Sequence, residues 1–121
     1  MSGKAQRLAR IEGEMQRVLS TLVSREVRDP RVGKVTLTSI NVAPDLSTAR
    51  VFFVPFGGQH PPGEVAEGLN RAAGFLRGEV GRALALRHAP RLEFVYDQQI
   101  ENADKLTRLI DGAVKSDQNK H

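Results

Sequence analysis

The stretch from Val65 to Leu86 constrains this chain more than any other. Val65, Leu69, Ala72, Ala73, Leu76, Val80 and the pair Ala83/Leu84 recur at helical spacing, so one stripe of a helix must face a core. At 100° per residue the opposite side carries Gly74, Gly78 and Gly81, flanked by Arg71 and Arg82, with Phe75 off the stripe and Arg77 near its edge. Each glycine inside a helix costs about 1 kcal/mol relative to alanine. Two readings fit three of them on one side. Either the surface is a glycine-tolerant one kept soluble by arginine, or it lets another backbone approach closely, and the arginines then point to phosphates.

The remaining elements supply the core that this stripe needs. Residues 4–27 form an amphipathic helix, with Leu8, Ile11, Met15, Val18, Leu19, Leu22 and Val23 on one face and Arg10 and Arg17 on the other. Pro30 ends it, because proline disfavours helical geometry at Asp29 and has no N–H to donate. Val35–Val42 is a strand rich in β-branched residues. Its alternation slips by one residue between Leu37 and Ile40, which predicts a β-bulge near Ser39. A turn at Ala43–Ser47 leads into a second strand, Thr48–Phe56, and so short a connection makes the pair an antiparallel hairpin. That strand puts Ala49, Val51 and Phe53 on one face, and Arg50, Phe52, Val54 and Phe56 on the other. Gly57–Gly63 reads as a flexible loop, Arg91–Asp97 as a third strand, residues 99–114 as a further amphipathic helix, and 115–121 as a polar disordered tail. The order α-β-β-α-kink-α-β-α gives an α+β two-layer sandwich in one domain over residues 1–114, with helices covering one face of a three-stranded sheet.

The chain's chemistry narrows the function. It has 121 residues, a net charge of +4 and no cysteine, so neither a disulfide nor a thiolate metal site is available. No apolar run approaches the ~20 residues of a membrane span, and the N-terminus has no hydrophobic signal core, which fits a cytoplasmic location. His60, His88 and His121 are scattered, without a partner at ligand spacing. The Gly57-Gly58 pair lacks the lysine and helix start of a phosphate-binding loop, and no serine sits in a nucleophile elbow. An enzyme is not expected, nor is a metal or cofactor. The first 34 residues hold eight Lys/Arg against four Asp/Glu, and a second group of arginines lies on the central helix. That distribution suits a nucleic-acid partner.

Four segments together resemble the ribosome-binding factor A family: the helix end VRDPR (Val27–Arg31), the hairpin VTLTSINVAPDLSTARVFF (Val35–Phe53), Ala72-Ala73-Gly74 followed by FLRGEVGRALALRHAP (Phe75–Pro90), and LEFVYD (Leu92–Asp97) before IENADKLTRLI. The resemblance implies a KH-like (type II) fold. In it, an Ala-x-Gly kink at Ala72-Ala73-Gly74 replaces the GxxG loop with which KH domains hold a nucleic-acid backbone, and a bend at the glycine splits one long helix in two. It also implies a non-catalytic factor that binds the immature 30S small ribosomal subunit and its 16S rRNA near the 5′ helix. That factor supports late maturation, rRNA processing and growth in the cold, and in some members a ribosome-associated GTPase releases it. The family often has a serine where this chain has Gln99, and often a longer C-terminal extension.

The expected RNA-binding surface is Arg71, Arg77 and Arg82 with Ala72, Ala73 and Gly74, supported by Arg87, Arg91 and the loop cluster Arg28, Arg31 and Lys34. Two other readings are a protein–protein adaptor using Phe52, Phe56 or Phe75 as an exposed anchor, and a generic single-stranded RNA binder.

Overall fold

The apolar stripes of three helices are buried on one face of one sheet. The computed structural model describes residues 3–56 and 59–99 and orders them as α1 (Gly3–Glu26), β1 (Lys34–Val42), β2 (Thr48–Phe56), α2 (Pro62–Arg71), α3 (Ala73–Ala83) and β3 (Arg91–Tyr96). The helix expected at 99–114 (beyond Gln99) and the tail at 115–121 lie outside the described residues, as do Gly57 and Gly58.

The sheet order is β1-β2-β3. β1 and β2 form the expected antiparallel hairpin, and its register shifts between Leu37 and Ser39, where the alternation slips. One extra residue there, Thr38, lets Leu37 and Ile40 both face the core. β3 runs parallel to β2, as it must when a helical crossover joins the two. α1 packs on β1, while α2 and α3 cover β3. Met15, Leu19, Leu69, Leu76, Val80, Val51 and Phe53 meet in the centre with no exposed surface. Leu8, Ile11, Val18 and Leu22 pack against them at the margin.

Both outer edges of this small sheet are met by helix side chains. On β1, Glu12 accepts the Val42 backbone N–H at 2.8 Å, and Gln16 Nε2 donates to the Leu37 carbonyl at 3.0 Å. On β3, the Asn70 side-chain oxygen accepts the Phe94 N–H at 2.8 Å while its amide nitrogen donates to the Phe94 carbonyl at 3.0 Å. These bonds occupy backbone groups that would otherwise invite another strand. Past β3, the buried Asp97 carboxylate accepts the Thr38 hydroxyl and, through Oδ1, the Gln99 N–H at 3.0 Å. Asp97 thus caps the chain at the place where the resemblance puts a serine two residues later.

Two local features hold the helices in place. A Cβ on Gly68 would lie 2.7 Å from Val32 Cγ2 and 3.1 Å from Asp29 Oδ2, so only glycine lets the 29–32 turn seat on α2. At the end of α3, Leu86 N–H reaches the Gly81 carbonyl at 2.9 Å and Ala85 N–H reaches that of Arg82 at 3.3 Å. This is a Schellman closure, with Ala85 in the left-handed position at φ 53°.

Gly68→Ala should destabilise the fold by about 1–3 kcal/mol through overpacking. Ala85→Gly should stabilise it by about 1 kcal/mol by relieving the left-handed alanine. Urea midpoints of the two variants should therefore move in opposite directions; an unmoved midpoint for Gly68→Ala would mean that the turn shifts away freely.

Candidate nucleic-acid interface

The helix break comes two residues earlier than glycine placement predicts. α2 ends at Arg71, α3 begins at Ala73, and the joint is Ala72 with φ −88° and ψ −2°. Ala72 N–H reaches back only three residues, to the Leu69 carbonyl at 3.1 Å, and its own carbonyl accepts Leu76 N–H at 3.0 Å to start the next helix. A single tight turn thus breaks the ladder with neither proline nor glycine at the joint. Gly74 lies inside α3, and a Cβ there would have no heavy atom within 4 Å. Its contribution is bareness, not bending. The apolar stripe survives the joint, since Leu69 before it and Leu76 and Val80 after it are all buried.

The other two glycines serve different ends. Gly78 lies beside the Arg82 guanidinium, 3.9 Å from where a Cβ would stand. Gly81 is packed against the loop after α3, its Cβ position 3.4 Å from Ala89 Cβ. A uniform side-chain-free surface along the helix is therefore not what the three glycines make.

Beneath the break lies an open groove of about 890 Å³. Its helical wall is Asn70, Ala73, Gly74 and Arg77, and its floor is the end of the sheet, with Asn41, Arg50, Arg91 and Glu93. Arg77 lines the groove, and its Nε donates to the Ala89 carbonyl at 2.9 Å, while its terminal nitrogens have no hydrogen-bond partner among the described residues. Arg91 is exposed at the start of β3, anchored through its backbone N–H to the Ser47 carbonyl at 2.9 Å, and has no ion-pair partner among the described residues. Of the eleven residues expected to bind RNA, this groove brings together Ala73, Gly74, Arg77 and Arg91, with Ala72 at the joint above them.

The other cations are elsewhere. The register pairs Lys34 with Phe56 at one end of the hairpin and Val42 with Ala49 at the other, where the groove lies. Eight residue steps of about 3.3 Å put the two ends roughly 26 Å apart. Arg28, Arg31 and Lys34 belong to the far end. Arg31 is committed there: its guanidinium forks onto Asp29 at 2.8 and 3.1 Å, reaches Glu67 at 3.2 Å, and its side chain is only 23% exposed. It fastens the turn to α2 and has little left for a phosphate. Arg71 is exposed on the α2 side facing that turn, close enough to Asp29 to help lower its pKa. Arg82 pairs with Glu79 one turn back on α3, and Arg87 is exposed in the loop that follows.

Arg50 and Asn70 were not expected at the site. Alternation places Arg50 on the face of β2 away from the core, but only the parallel register of β3 brings it beside Glu93 and Arg91. The aromatic anchors are present as the adaptor reading requires: Phe56 is 72% exposed and Phe75 50%, while Phe52 is half-buried. Among the described residues, no group of three His, Cys, Asp or Glu side chains could hold a metal, and no helix is long and apolar enough to cross a membrane.

The profile of the family described as ribosome-binding factor A matches residues 7–110. The chain belongs to this family. Among its relatives, ribosome-binding factor A of Nitrosomonas europaea is 46% identical over 114 residues, covering 94% of this chain and 97% of the relative. That of Azoarcus sp. is 43% identical over 115 residues, covering 95% and 91%. Solved folds agree. The solution structure of the Thermotoga maritima protein, a putative ribosome binding factor A, superposes with a TM-score of 0.66 at 34% identity over 75% of this chain and 87% of that one. A homology model of the Thermus thermophilus factor, fitted into a cryo-EM map of a 30S complex, superposes with a TM-score of 0.62 at 26% identity over 73% and 92%. The α+β sandwich is thus the KH-like fold of this family.

The Asp29–Arg31 fork carries a pH signature. The Arg31 side chain, and then its backbone N–H, hold the Asp29 carboxyl down from 3.8 to about 2. A carboxylate depressed in the folded state stabilises fully above the unfolded pKa and loses that contribution as pH falls through the folded one. Between pH ~5 and ~2, the urea midpoint of the natural chain should therefore fall more steeply than that of Asp29→Asn. Parallel curves would show that the fork adds nothing.

Proposed function

We propose that this chain is a non-catalytic assembly factor that binds the maturing 30S small ribosomal subunit in the cytoplasm, meeting 16S rRNA with the α2–α3 break and the groove beneath it. The observation that carries the reading is the placement of Arg77 and Arg91, two cations without carboxylate partners among the described residues, beside a stretch of α3 that is bare at Gly74. A phosphate backbone needs both features, donors of positive charge and a wall without side chains that it can lie against. The fitted relative in its 30S complex supports the choice of partner. Contact near the 5′ helix, help with late rRNA processing, a role in growth at low temperature and release by a GTPase belong to the same proposal.

The double variant Arg77→Glu/Arg91→Glu should weaken binding to purified 30S subunits by about tenfold or more, since each lost charge-assisted contact is worth about 1.5–3 kcal/mol. Arg28→Glu/Lys34→Glu, at the far end of the sheet, should weaken it less. Circular dichroism separates lost binding from lost fold. Equal losses from the two pairs would move the interface off the groove. Binding should also fall steeply with salt, as expected for phosphate contacts that release counterions.

Exposed Phe56 and Phe75 favour a second reading, in which this fold docks on a protein. That reading predicts a flat salt response and a loss of subunit binding in Phe56→Ser/Phe75→Ser.

A further inference from the structure

The groove contains a third arginine that it does not leave free. Asn41, Arg50 and Glu93 are register partners and form one row across all three strands on the face away from the helices. Within that row Arg50 Nε meets Glu93 Oε1 at 3.3 Å, and both side chains remain about as open to solvent as each other, at 60% and 62% exposure. Glu93 is the single carboxylate among the described residues lining the groove, against three cations there, Arg50, Arg77 and Arg91. It follows Arg91 by two residues on the same face of β3, so any anion held by Arg91 or Arg50 must approach a fixed negative charge.

An exposed ion pair of this kind contributes little to folding, with a median near 0–1 kcal/mol. Stability is therefore a poor account of a carboxylate on the floor of a basic groove. We propose that Arg50 is a further phosphate-binding residue of the groove and that Glu93 is its built-in competitor, occupying the guanidinium until a backbone phosphate replaces it. The inference rests on the groove being the RNA-facing surface. Exchange of one anion for another at Arg50 conserves the ion pair, so this contact adds register along the RNA while adding little net affinity. An assembly factor that must leave its subunit gains from a contact of this type.

The test uses the full chain and purified 30S subunits, with dissociation constants measured from about 50 to about 200 mM salt. Glu93→Gln removes the charge and keeps the shape. It should tighten binding about fivefold and make the salt dependence steeper, because Arg50 then meets a phosphate without surrendering a partner. Arg50→Gln should weaken binding by less than Glu93→Gln strengthens it and flatten the salt dependence. In the Arg50→Gln background, Glu93→Gln should gain less than half of its effect in the natural chain.

Two results would overturn the proposal. One is unchanged affinity in Glu93→Gln. The other is a gain of the same size with and without Arg50, which would make Glu93 a plain repulsive charge. If either occurs while Arg77→Glu/Arg91→Glu still weakens binding, the competitor fails and the groove stands. If that pair also binds normally, the groove itself is not the interface, and the inference falls with it.

Discussion

Among the described residues, a three-stranded sheet with one helix-covered face is the constraint from which the arrangement of this domain follows. Three helices carry apolar stripes, and one sheet face must receive them all. The central strand contributes Ala49, Val51 and Phe53 with no exposed surface, and β3 contributes Leu92 and Phe94. β3 is an edge strand, so its outer side needs partners that the ladder does not supply. Asn70 provides them, reproducing with one side-chain amide the donor and acceptor of a neighbouring strand. Because Asn70 is the penultimate residue of α2, those two bonds also fix where the helix stops. The break at Ala72 is placed over the sheet end as a consequence, and the groove is the space left between them.

The electrostatics divide along the same geometry. Charge alone makes thirteen arginines look interchangeable, but their surroundings are not. Arg31 is used in fastening a turn, and Arg82 is paired along its own helix. Arg77 is half-committed, one nitrogen holding the loop after α3 while the side chain lines the groove. The Arg91 side chain has no such partner among the described residues, and Arg50 shares the groove with Glu93. A basic protein that binds RNA at one place needs this sorting, since each guanidinium satisfied internally is one fewer to condense phosphate nonspecifically.

Much was legible in one dimension because periodicity is a local consequence of burial. The stripes of α1 and of residues 65–80 predict the buried set, and the slip between Leu37 and Ile40 predicts the bulge, since one inserted residue is the only way to keep both on the core side. The break falls within the expected Ala72–Gly74 kink but at Ala72 and not at the glycine, for a physical reason. Glycine marks where a backbone can bend cheaply, but here the sheet edge dictates the stop through Asn70, and Ala72 adopts the tight turn without difficulty. Gly68, with no signal in the stripe, turned out to be the glycine that cannot be replaced without displacing a neighbour, because its contact is with the 29–32 turn, more than thirty positions away in the chain.

Sequence by itself determined the elements between residues 3 and 96, their buried faces, the hairpin and the family, each of which depends on residues near one another along the chain or on their order. Only the tertiary structure decided which cations share a surface. That depended on the parallel register of β3 against β2, which sets Arg91 and Glu93 beside Arg50. It depended equally on the length of the strands, which holds Lys34 and its neighbours at the opposite end. Such distances arise from pairing between remote segments, and no local spacing encodes them.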